Sequence, residues 1–167
     1  MVHIYHGNGK GKTTAAVGLA VRAAGAGLEI MFVQFLKNGS SSEIRIIEKI
    51  ENIKVQCCKE CRKFTFQMND NEKNAVTEKH NHMLEQAFKN GADMIILDEF
   101  LDAYNKNMLD RSLAEKLITE NAENIEIILT GRNPSEKFIE TADYISEITA
   151  VRHPYEKGIA ARMGIEY

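Results

Sequence analysis

The densest chemistry in the chain lies in one run, Gly7-Asn8-Gly9-Lys10-Gly11-Lys12-Thr13-Thr14. Three glycines in five residues give a backbone free to take positive φ and to approach a ligand closely. Backbone N–H groups in such a loop turn inward and form a nest for an anion. A helix starting at Lys12 adds its own free N–H groups and the positive end of its dipole. The run therefore predicts phosphate binding by Gly7, Asn8, Gly9, Lys10, Gly11, Lys12, Thr13 and Thr14. Lys12, expected to be exposed in the loop, reaches the outer phosphates, and the Thr13 hydroxyl is a ligand for Mg²⁺. One spacing is unusual. The pattern G-x-x-x-x-G-K-[ST] puts its first glycine at position 6, where His6 stands, and the glycine falls one place later, at Gly7.

A second set of candidates follows two apolar runs. Asp98 ends Met94-Ile95-Ile96-Leu97 and is expected to position Mg²⁺, directly or through water. Glu99 faces the other way if the strand continues, whereas a turn at the strand end brings both carboxylates to the metal. The alternative is an acidic surface turn. Thr130-Gly131-Arg132 follows Ile125 to Leu129, and Arg132 either neutralises phosphate charge or forms a surface salt bridge. These residues together describe a site for a Mg–nucleoside triphosphate, without naming its reaction. No Ser–His–acid set and no paired general acid and base stand out. His3, His6, His80, His82 and His153 are scattered, and His80 and His82 project from different faces of a helix. Cys58-Lys59-Glu60-Cys61 has C-x-x-C spacing, but with no second pair and no histidine within several residues it supplies only part of a tetrahedral metal site. Buried or loop thiols are expected for Cys57, Cys58 and Cys61, and an odd count argues against a disulfide framework.

These groups need elements to hold them. Val2 to Tyr5 reads as a strand, followed by the glycine loop and a helix that ends near Gly25 and Gly27. Glu29 to Phe35 reads as a buried second strand, and a loop from Lys37 to Ser42 leads into a short helix through Ile50. Ile53 to Cys57 alternates as a third strand. Residues 58 to 71 are irregular, and Asn69 or Asn71 starts a long helix whose Val76, Met83, Leu84, Ala87 and Phe88 share one face. Ala92 to Leu97 is an apolar run of the kind found in parallel strands covered on both faces. A helix over 109 to 119, a strand over 125 to 129, a helix over 134 to 141 and an edge strand over 144 to 151 complete the reading. Strands alternating with helices predict a three-layer α/β fold, P-loop NTPase-like (RecA-like), with a mostly parallel sheet and helices on both faces. Ligands in such sheets bind beyond the carboxyl ends of the strands, where all the candidates above are expected to meet.

The chain has 167 residues, is 44% hydrophobic and 27% charged, and carries a net charge of −3. That is ordinary globular composition, with no positive field to recruit nucleic acid. No apolar run has transmembrane length, and the first strand is too short for a signal-peptide core. One domain over residues 1–167, in the cytoplasm, is expected.

The chain resembles the ATP:corrinoid adenosyltransferases nearly end to end. The resemblance rests on Gly7 to Ala16, Arg22-Ala23-Ala24-Gly25, Val33-Gln34-Phe35-Leu36-Lys37, Phe64-Thr65-Phe66, Ile96-Leu97-Asp98-Glu99, Leu129-Thr130-Gly131-Arg132, Ala142-Asp143, and the tail from His153-Pro154-Tyr155 to Gly164-Ile165-Glu166-Tyr167. The displaced glycine at position 7 fits this family's loop. The resemblance implies that Co(I) of a corrinoid attacks C5′ of ATP and triphosphate leaves, with Lys12 and Arg132 as catalytic residues. It implies Thr13, Glu99 and Asp98 around Mg²⁺, and Phe64 and Phe66 in a mobile segment over the corrin. On physical grounds alone, two aromatics in an irregular segment are expected in a satellite core. The family often has Trp at the second position, where this chain has Phe66. A homodimer and a flavoprotein reductant are further expectations. Better-known members carry an N-terminal extension, so closure over the substrate is expected from residues 58 to 71 and the tail, whose last residues match the family's C-terminus. Two other readings fit the residues: a P-loop ATPase or small-molecule kinase in which Glu99 orients the nucleophile, and an ATP-binding regulatory module without turnover.

Overall fold

A computed structural model describes residues 1–166. Six strands form one parallel sheet in the order β3-β2-β4-β5-β1-β6. They are β1 (Val2–His6), β2 (Ile30–Gln34), β3 (Ile53–Cys57), β4 (Met94–Asp98), β5 (Glu126–Thr130) and β6 (Tyr144–Glu147). Parallel neighbours require crossover connections, which here carry α1 (Lys12–Gly25), α2 (Ile44–Ile47), α3 (Asp70–Lys89), α4 (Phe100–Asn105), α5 (Arg111–Asn121) and α6 (Glu136–Thr141). No described helix is long and apolar enough to cross a membrane.

Strand side chains alternate between faces, and the core divides accordingly. Ile30, Phe32, Met94, Ile96 and Ile128 pack under Ala16, Ala20 and Ala23 of α1 and Ile44 and Ile47 of α2. Their neighbours Met31, Val33, Ile95, Leu97, Ile127 and Leu129 pack against α3 to α6 on the other face. The small residues of α1 let that helix lie close to the sheet, which fixes the position of its N-terminus over the strand ends.

Three details depart from the sequence reading. β6 stops at Glu147, because the chain then turns toward the glycine loop. The helix α4 was not anticipated; Glu99, at φ 59, ends β4 and turns the chain directly into it. Within residues 58 to 69 only Thr65–Gln67 takes a single 3₁₀ turn. Asn69 then starts α3 with a capping box, its side chain accepting from Glu72 N at 2.9 Å while Glu72 accepts from Asn69 N at 3.0 Å. Such a box satisfies two otherwise unpaired donors of the first turn.

Candidate nucleotide site

Three strands end in a polar residue on the α1 face: Gln34 on β2, Asp98 on β4 and Thr130 on β5. Each continues the alternation that sends Phe32, Ile96 and Ile128 to that face. Gln34 and Asp98 are register partners, so their side chains meet. Asp98 is 0% exposed. Its Oδ1 accepts from Thr13 Oγ1 and from Thr130 Oγ1, both at 2.8 Å, and its Oδ2 accepts from Gln34 Nε2 at 3.1 Å. A buried carboxylate is stable only with such partners. The expected pairing of Thr13 with Asp98 is therefore present, built by the register of three strands and the first turn of α1.

Glu99 does not continue the strand. Its positive φ brings its carboxylate round beside that of Asp98, and Lys37 bridges the two at 3.0 Å from Glu99 Oε1 and 3.7 Å from Asp98 Oδ2. Burial works to lower the Lys37 pKa, but the two carboxylates outweigh it and hold it above the ordinary lysine value. Thr130 Oγ1 also accepts from Glu99 N at 3.0 Å, tying the turn down. Gln34 Oε1 is buried with no hydrogen-bond partner among the described residues.

The glycine loop is shaped by a neighbour as well as by any ligand. After β6 the chain crosses the loop, and Ile148 O accepts from Gly9 N at 2.7 Å while Asn8 Oδ1 accepts from Ala150 N at 2.9 Å. A Cβ on Gly9 would stand 2.7 Å from Ile148 O, and one on Gly7 closer still. Glycine is required at both positions by this crossing strap. The nest is correspondingly smaller than the sequence suggests, since the Gly9 N–H is already in use. Lys12 is half-buried rather than exposed, its Nζ donating to Gly9 O at 2.8 Å. Its pKa is lowered, first by burial and then by the charge of Arg132. Arg132 itself is exposed, and its backbone N–H donates to Asp102 Oδ2 at 3.0 Å.

A cavity of about 770 Å³ opens beside the loop. Its lining includes Thr13, Thr14, Lys37 and Phe64, together with Gly164, Ile165 and Glu166 of the tail. Glu166 is held there by Arg162, at 2.9 Å, which keeps its carboxyl at about 2. Phe64 and Phe66 stack with ring centroids 5.6 Å apart and are 72% and 80% exposed. The satellite-core expectation for them is wrong: both rings stand exposed, while Met68, two residues further on, enters the core.

Lys37, Gln34 and the Ile148 strap were missed as site parts. Gln34 had a readable signal, since it ends an apolar run as Asp98 does. Cys58 and Cys61 are buried free thiols, as expected. The Cys58 thiol pKa is pushed down, chiefly by the hydrogen bond from Cys61, whose own pKa rises in return.

A glycine loop on β1, a buried aspartate ending β4 and an all-parallel sheet define a P-loop nucleotide-binding protein of RecA-like α/β fold. Among solved structures, EssC (ATPases 2 and 3) from Geobacillus thermodenitrificans shares this fold with a TM-score of 0.52 at 13% identity, over 99% of this chain and 36% of that one. The family described as ATP:corrinoid adenosyltransferase BtuR/CobO/CobP matches residues 1–167. The corrinoid adenosyltransferase of Escherichia coli (strain K12) is 30% identical over 169 residues, covering 100% of this chain and 85% of that protein. Corrinoid adenosyltransferase CobA of Salmonella typhimurium (strain LT2) is 30% identical over 174 residues, with the same coverage of each. The chain belongs to the ATP:corrinoid adenosyltransferase family and is an enzyme of that type.

Proposed function

We propose that residues 1–167 act as one unit that transfers the 5′-deoxyadenosyl group of ATP to Co(I) of a corrinoid. The observation that carries this reading is the single cavity joining Thr13 and Thr14 to Phe64. It lets a nucleotide held by its triphosphate present C5′ to a macrocycle laid against aromatic rings. The electron pair of Co(I) forms the Co–C5′ bond, the C5′–O5′ bond breaks, and its electrons leave with triphosphate. Co(I) needs no deprotonation, which fits a site with no evident general base. Membership of the ATP:corrinoid adenosyltransferase family disfavours the ATPase and kinase readings.

In this account the free N–H groups of residues 7–14 hold the phosphates, and Lys12 swings from Gly9 O to offset their charge with Arg132. Mg²⁺ fits the oxygens of Thr13, Asp98 and Glu99, because a hard cation that keeps several waters needs few protein ligands, and the orphaned Gln34 Oε1 can accept from one of those waters. When bound, it supplies further neutralisation of the leaving triphosphate. Phe64 and Phe66 cover the lower face of the corrin, and the tail closes the side. A cytoplasmic homodimer served by a flavoprotein reductant belongs to the same reading and rests on family likeness.

Product analysis with ATP, a corrinoid and a strong reductant tests the proposal. Intact triphosphate and a corrinoid absorbance change are expected. ADP and phosphate formed without corrinoid would overturn it, and ATP binding without turnover would leave the regulatory module.

A further inference from the structure

Among the described residues, the nucleotide site leaves a buried cluster of possible metal ligands unused. Cys58, Cys61 and His80 are 0%, 6% and 0% exposed, and their ligand atoms lie within 4.8 Å of one another. His80 comes from α3, 19 residues beyond Cys61. We propose that Cys58, Cys61 and His80 bind one zinc ion that pins the base of the Phe64–Phe66 segment to α3.

The geometry suits that ion. Zinc–sulfur bonds of about 2.3 Å and zinc–nitrogen bonds of about 2.0–2.1 Å at a tetrahedral angle hold the two ligand atoms about 3.5–3.6 Å apart. Cys61 Sγ and His80 Nε2 stand 3.6 Å apart. His80 Nδ1 is 2.9 Å from Met108 O, so its proton is fixed there and Nε2 presents a lone pair to the sulfurs. A second hydrogen bond of this kind is what orients metal-bound histidines. At present Nε2 accepts from Leu36 N at 3.3 Å. That N–H also faces the Cys61 sulfur, so it keeps an acceptor when a metal takes the nitrogen. A fourth donor is close by in Glu60, exposed, with Oε2 3.7 Å from Cys58 Sγ. Two thiolates and an imidazole favour zinc over the hard cations that suit the Thr13–Asp98 oxygens.

The position gives the ion a structural task. Cys58 follows directly on β3, and Cys61 stands three residues before Phe64. The segment between Cys61 and Asn69 makes few buried contacts, with Cys61 and Met68 its buried members. A metal bridging Cys58 and Cys61 to α3 anchors its first turn while leaving Phe64 and Phe66 free at the surface.

The test uses the reduced, chelator-treated chain without ATP or corrinoid, so it is independent of the transfer reaction. Zinc is titrated against a chromophoric competitor, and cobalt(II) is used to read thiolate charge-transfer absorption. One equivalent is expected, with thiolate bands, unchanged in Cys57→Ser and lost in the Cys58→Ser/Cys61→Ser double variant. His80→Gln is expected to weaken binding by at least roughly 10–100-fold, the cost of losing even an outer-shell partner. Zinc is also expected to slow trypsin at Lys59, Arg62 and Lys63, all exposed, without changing cleavage elsewhere. A reduced wild-type chain of native circular dichroism that binds no zinc would overturn the proposal. So would equal binding by a folded double variant.

Discussion

The Thr13 region and the Phe64 region, which line one cavity, are built in opposite ways. Around Thr13, a buried carboxylate accepts from two hydroxyls and an amide and faces a lysine, set by the register of neighbouring strands, the first turn of α1 and the loop after β2. Around Phe64, two stacked rings stand in solvent on an irregular segment. The difference teaches where each substrate's binding energy comes from. In the proposed reaction the triphosphate and its Mg²⁺ would meet groups already held in place, so little ordering would remain to be done on binding. A macrocycle must supply the apolar surface that the exposed rings lack, so order in that region is completed by the ligand.

The sharpest way to break the contrast is to dismantle the ordered region. Asp98→Ala leaves Thr13, Thr130 and Gln34 without their acceptor and Lys37 without one counter-charge. Urea unfolding should show a loss of about 3–5 kcal/mol, the usual cost of removing one partner of a buried pair. A stability within error of the parent would mean that the strand-end network is not holding the site. Lys12→Ala should leave stability nearly unchanged, since the hydrogen bond that Lys12 makes is to a loop carbonyl, that of Gly9, and not to the core. Its adenosylation rate should fall by roughly 2–4 kcal/mol in barrier terms, by analogy with other charge-stabilising donors. Near-normal turnover by the folded variant would contradict the phosphate assignment.

A smaller effect sharpens the same region. Burial, then the charge of Arg132, lowers the Lys12 pKa. The pH profile of kcat/KM for ATP reports groups of the free enzyme, so its alkaline limb should fall below the ordinary lysine value of about 10.4. Arg132→Gln removes one lowering charge and should move that limb to higher pH. A limb that stays in place would show that Arg132 does not act on Lys12.

Legibility followed the same division. The ordered region was readable because it is written in contiguous motifs: Gly7 to Thr14, and Asp98 after four apolar residues. Its missed parts, Gln34, Lys37 and the Ile148 strap, are brought in by sheet register and by a chain crossing from β6, which local spacing does not encode. The exposure of Phe64 and Phe66 ran against the general tendency of aromatics to find a core. The Cys58–Cys61 pair looked incomplete because its histidine lies a helix away. The length of α3 and the side it packs on decide that meeting, and neither is a local property.

The account's central claim, that the two regions do separate work, is tested most directly by the adenosylation rate of Phe66→Ala from two starting states of the corrinoid. A phenyl ring over the lower face displaces an axial ligand and offers cobalt no lone pair, which makes Co(II) easier to reduce. The apolar contact contributes up to about 1.5–3 kcal/mol for one buried side chain. With circular dichroism as the folding control, Phe66→Ala should be slowed far more when reaction starts from Co(II) than when Co(I) is made chemically beforehand, whereas Lys12→Ala should be slowed equally from both. Equal losses from both states in Phe66→Ala would contradict the claim and reduce Phe66 to a simple binding contact.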